Sequence, residues 1–147
     1  MAQSCDLLRV KTNKMENIKL IIESAKDGMV WGRVTYDDNL LAESAVNAEE
    51  LQLKMKTLLA DFHDLKPDAI NFELSYDLSA FFENFGYLKI SEIAKYAGLN
   101  SSLLRYYVAG SKTASKTQVL KLQDAIHKVG NELAQVILLH RQKSLSM

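Results

Sequence analysis

Asn100, Ser101, Ser102, Arg105 and Tyr106 bring amide, hydroxyl, guanidinium and phenol groups into two helical turns. That set suits recognition of a polyanion rather than bond making. Arg105, one turn after the two serines, can present a forked donor to guanine O6 and N7. Asn100, Ser101 and Ser102 open a helix, where side chains and free backbone N–H groups can meet bases or phosphates. Tyr106 reads either as a contact to a phosphate or sugar edge, or as a core aromatic. Lys112, Thr113, Ser115 and Lys116 follow in the next loop and helix start, where phosphate oxygens find backbone donors.

Ile90–Val108 supplies the scaffold those side chains need. Counting Ile90 as the first position, the small Ala94 is fifth, where two helix backbones approach closely. Gly98 is ninth, where a turn needs a positive φ that glycine adopts at no steric cost. Apolar Ile93, Leu99, Leu104 and Tyr107 face inward and leave the polar set outside. The pattern is that of a helix-turn-helix, whose second helix enters the major groove when the motif binds DNA. A protein-interaction module is the other use of the same pattern.

Catalytic chemistry finds no comparable constellation. Two-metal nuclease chemistry needs carboxylates converging on ions about 4 Å apart. Glu23, Glu43 and Glu73 are instead isolated on solvent-facing strand positions, and Asp37-Asp38 sits in a turn. His63, His127 and His140 lack metal-ligand spacing, and the six glycines are too scattered for a phosphate loop. The lone Cys5 permits neither an internal disulfide nor a multi-cysteine metal site and suits a reducing cytosol. The expectation is no enzyme, no metal and no cofactor.

Upstream, Ile18, Leu20 and Ile22 alternate with polar residues as a strand does. Asp27-Gly28 then cues a tight hairpin into Met29–Tyr36. Val30, Gly32, Val34 and Tyr36 share one face of that run. A turn at Asp37-Asp38-Asn39 leads to a weaker strand over 40–46. Asn47 and Glu50 read as a capping pair for a helix with the apolar stripe Leu51, Met55, Leu58, Leu59, Phe62 and Leu65, ended by Pro67. Ile70, Phe72, Leu74 and Tyr76 mark the clearest strand. The order is β-β-β-α-β, an antiparallel sheet with one helix across a face. Asp77 caps a further helix bearing Leu78, Phe81, Phe82 and Phe85.

Ser115 and Gln118 form a capping box for a long last helix. Its seam is Val119, Leu122, Ile126, Val129, Leu133 and Val136, with Gly130 facing outward. Leu133–Leu139 is apolar almost all round, so it is expected to dock on the sheet domain or on another subunit.

With 147 residues the chain has room for one ordinary domain or two small ones. Its net charge of +0 hides an asymmetry: residues 1–69 carry 9 basic and 12 acidic side chains, residues 70–147 carry 9 and 6. Ile93–Gln123 holds Lys95, Arg105, Lys112, Lys116 and Lys121 and no acid, a local field that attracts phosphate. No apolar run nears the roughly 20 residues that span a bilayer. Met1–Lys14 shows neither periodicity nor a signal-peptide core. It reads as a flexible extension, or translation starts at Met15.

Both halves together resemble the HicB family of antitoxin-like proteins, in the variant with a C-terminal DNA-binding domain. The resemblance lies in Asp77–Phe82, Ala97–Tyr107 and Ala125–Leu133, and more weakly in the strand and helix order of residues 15–77. The chain departs from many members at Asp37–Ser44, where they carry a Pro-Gly-Cys-like stretch and a glycine before the helix. The resemblance implies an α+β protein: an extension over 1–14, a truncated RNase H-like β-β-β-α-β domain over 15–77, and an all-α helix-turn-helix domain over 78–147. It implies a cytoplasmic transcriptional regulator that binds double-stranded operator DNA as a homodimer or higher oligomer and autoregulates its operon. A small toxin ribonuclease is the implied protein partner, and toxin neutralisation with a mainly structural helix-turn-helix is the rival reading.

Overall fold

Ile18, Leu20 and Ile22 are buried on one face of strand β1, Glu16–Ser24, as their alternation with polar residues requires. The computed structural model describes residues 14–142, so the expectations for the extension and for Cys5 lie, Lys14 apart, outside the described residues. The protein is α+β and divides into two units, Met1–Tyr87 and Leu88–Met147.

The first unit continues with β2 (Val30–Tyr36), β3 (Asn39–Ala45), helix α1 (Ala48–His63), a short 3-10 turn (Pro67–Ala69), β4 (Ile70–Tyr76) and helix α2 (Leu78–Asn84). The strands form one sheet in the order β3-β2-β1-β4. Both hairpin pairs are antiparallel, but β4 runs parallel to β1, with Ile18 opposite Phe72. The expected antiparallel sheet is therefore a mixed one. The two hairpins make β1 and β3 parallel to each other. Crossing by a helix returns the chain in the direction of β3, so β4 enters beside β1 in parallel.

The two hairpin turns exchange the geometries that their residues suggest. Asp27-Gly28 makes no two-residue turn; the link spans Ala25–Met29, with Gly28 at φ +79° donating its N–H to the Ala25 carbonyl at 3.2 Å. The Asp27 carboxylate is used locally, accepting from the Met29 N–H and from Trp31 Nε1. Asp37 and Asp38 take φ 50° and 63°, and Tyr36 pairs with Asn39 directly. That is the positive-φ pair that a two-residue hairpin demands.

Helix α1 starts where Asn47 Oδ1 accepts the Glu50 N–H at 2.8 Å. Leu51, Met55 and Leu59 are fully buried over the sheet. Gly32 allows this close approach, since a Cβ there would lie 2.7 Å from Leu51 Cδ2. Phe62, expected in the stripe, is 69% exposed, because α1 reaches past the sheet's apolar face there. Asp64, left-handed at φ 54°, ends the helix before Pro67 is reached.

Helix α2 groups with the sheet, so the division falls after Tyr87 rather than at 77/78. Asp77 Oδ1 accepts the Ala80 N–H, and the Asp77 N–H donates to the Ile22 carbonyl. Ser24 Oγ donates to Ser79 Oγ, Ala80 joins the sheet core, and Tyr76 meets Phe81 and Phe85 edge-on.

The second unit holds α3 (Ile90–Ala97), α4 (Ser101–Ala109) and α5 (Lys116–Gln135) around Ile93, Ala94, Leu104, Leu122 and Ala125. The last helix is shorter than its seam suggests. Val136 is extended at φ −71°, ψ 130°, and Ile137–Leu139 are not helical. A further turn would have ringed the helix with Val, Ile and Leu in water, and β-branched residues also lose side-chain freedom in a helix. Among the described residues no helix is long and apolar enough to cross a membrane.

Candidate nucleic-acid interface

Gly98 closes α3 at φ +72°, its N–H shared between the Ala94 and Lys95 carbonyls. The Leu99 N–H returns to the Ala94 carbonyl at 2.8 Å. These bonds satisfy the last carbonyls of α3 and turn the chain sharply into α4. Ala94 is fully buried at the helix contact, and Leu104 of α4 is buried beside it. Asn100 Oδ1 accepts the Leu103 N–H at 3.0 Å and so caps α4.

Beyond α4, Gly110 at φ +81° repeats the left-handed exit, and the Ser111 N–H donates to the Tyr106 carbonyl. Ser115 and Gln118 complete the expected capping box of α5. The half-buried Tyr107 donates its hydroxyl to Gln118 Oε1 at 2.7 Å, tying α4 to the first turn of α5. Composition and spacing did not signal that clasp, because it joins residues in different helices.

Fixed at both ends, α4 presents one outward face. Ser102, Arg105, Tyr106 and Ala109 are all exposed and recur at the three- and four-residue steps of a single helix face. Arg105 makes no ion pair or hydrogen bond among the described residues. Tyr106 is 50% exposed, which decides between its two readings in favour of the surface. The Lys112 ammonium lies 5.2 Å from its ring centre, so this lysine of the following loop joins the face.

The remaining candidates take other places. Ser101 is half-buried at the first position of α4. Asn100 and Ser115 spend a side-chain oxygen on capping. Thr113 and Lys116 are exposed on either side of Ser115. A shallow depression of about 290 Å³ between α3 and α5 brings Lys121 and Lys128 around Tyr96, with Asp124 between them. The Tyr96 phenol titrates above its ordinary range, chiefly because it donates to the Glu132 carboxylate.

In the sheet unit Glu23, Glu43, Asp37 and Asp38 are engaged locally, and Glu73 stands exposed on its strand. Glu23 Oε1 accepts from Arg33, Glu43 Oε1 accepts the Ser44 N–H, and Asp37 and Asp38 form the turn. Among the described residues no group of three or more His, Cys, Asp or Glu is placed to hold a metal ion. A cavity of about 260 Å³ lies where β1 and β4 end, lined by Ser24, Asn47, Tyr76 and Glu83 among others. Burial raises the Tyr76 phenol pKa there. Comparison with protein-family models, with curated proteins and with solved structures gives no match.

Proposed function

We propose that the chain is a sequence-specific DNA-binding transcriptional regulator of the HicB antitoxin type, non-catalytic, cytoplasmic, and acting as a homodimer on an operator of its own operon. The observation that carries this reading is the outward face of α4. It joins Ser102, Arg105 and Tyr106 to Lys112, on a helix whose entry turn and exit turn are both pinned by left-handed glycines. A guanidinium on such a face matches the acceptor pair of guanine in the major groove. Thr113, Lys116 and the unpaired first-turn N–H groups of α5 suit the flanking phosphates. One such unit covers a half-site, and two-fold pairing supplies the second.

Selection of bound fragments from the native genome tests the proposal. A common, two-fold related sequence that Arg105→Ala no longer retains supports it. No retained DNA at low salt refutes it in favour of an interaction module. Capture of a small toxin ribonuclease by the sheet unit is a second role, which the family resemblance alone suggests. Co-purification with the product of a neighbouring reading frame tests that role.

A further inference from the structure

Val136 takes the chain out of α5 in an extended conformation, and Val136–Leu139 is non-helical and 56, 92, 86 and 77% exposed at its four successive residues. Leu133, in the last turn of the helix, is 61% exposed. Consecutive large apolar side chains beside backbone groups free to pair are the makings of an interface. We propose that this segment joins two copies of the chain. Val136–Leu139 of one protomer lies antiparallel to the same residues of its partner about a two-fold axis, with Leu133 packed over the pair.

The occupant follows from the segment's own chemistry. A two-fold contact sets each surface against itself, so any charge in the middle would face its like. Residues 133–139 carry none. The charges stand at the two ends and differ in sign: Glu132 before the run, His140 and Arg141 after it, all exposed. Antiparallel pairing of Val136–Leu139 with itself is centred between Ile137 and Leu138. With a rise of about 1.5 Å per residue in the helix and about 3.3 Å beyond it, Glu132 and Arg141 of the partner subunit each lie about 11–12 Å from that centre, and the contact occurs twice. A parallel arrangement would set each charge against its own kind. Glu132 keeps its bond from the Tyr96 hydroxyl, since a carboxylate has lone pairs for both donors.

The area also fits. Five large apolar side chains from each copy together expose on the order of 1,200 Å², so full mutual cover would reach the lower end of a stable protein interface. The pairing also gives partners to backbone groups beyond the Val136 N–H, which already donates to the Leu133 carbonyl. It rests on the two-fold reading above in that it supplies the dimer for two half-sites, but its test uses no DNA, so the two can fail separately.

Sedimentation of the full chain over roughly 1–100 µM reads the dissociation constant directly. The expected species is a dimer of the 16.6 kDa chain. Ile137→Lys with Leu138→Lys weakens it about 100-fold or more while circular dichroism keeps the same helix content. Arg141→Glu weakens it about 10-fold, and adding Glu132→Arg restores it. A monomer at all concentrations overturns the proposal. So does a dimer that the double lysine variant leaves unchanged. Loss with the lysines but no rescue by the charge swap overturns the antiparallel register.

Discussion

Arg105 is the side chain on which the proposed recognition turns. It is exposed, so its removal leaves the core of its unit untouched. Arg105→Ala is expected to weaken DNA binding by about 1–3 kcal/mol and to relax the preference at one base pair. Fluorescence anisotropy on the selected operator and on single-base variants measures both, with an unchanged urea midpoint as control. Asp38 offers a different single-residue test. Its φ of 63° strains any residue with a Cβ, and a two-residue hairpin prefers glycine at this second position. Asp38→Gly should raise stability by about 1 kcal/mol, read as a shift in thermal midpoint.

Among the elements, α5 departs most from its pattern. The apolar spacing continues through Val136, yet the helix ends at Gln135, and no glycine cap marks the place. Periodicity reports which face is apolar, not where water makes another turn unfavourable. Gly130 lies within the helix and has nothing within 4 Å of where a Cβ would stand. Gly130→Ala should therefore stabilise by about 0.5–1 kcal/mol through the lost freedom of the unfolded chain, measurable by chemical denaturation. The parallel placement of β4 is likewise a property of the crossover rather than of β4's own residues. Ile70–Tyr76 would alternate identically in an antiparallel neighbour.

For the molecule as a whole, a net charge of +0 argues against indiscriminate attraction to polyanions. On the proposed reading, affinity for DNA comes from the local excess over Ile93–Gln123. Each phosphate contact made there releases counterions, so the logarithm of the binding constant should fall linearly with the logarithm of salt, with a slope of about −0.9 per contact on B-form DNA. Titration from low to physiological salt measures it. A slope near zero would sink the DNA reading. Lys112→Ala should flatten the slope by about one unit and leave the preferred sequence unchanged.

What the chain's residues determined by themselves was local. Strand alternation, the caps at Asn47, Asp77, Asn100 and Ser115, and the left-handed Gly98 all follow from interactions spanning a few residues. The candidate face of α4 was legible for the same reason, since helical spacing alone groups Ser102, Arg105 and Tyr106. Tertiary structure decided whatever depends on what lies opposite. It turned Tyr106 outward under Lys112, bonded Tyr107 to Gln118, assigned α2 to the sheet, left Phe62 in water and ran β4 parallel to β1. Apolarity and spacing say that a side chain can be buried; only the packed neighbours supply the surface that buries it.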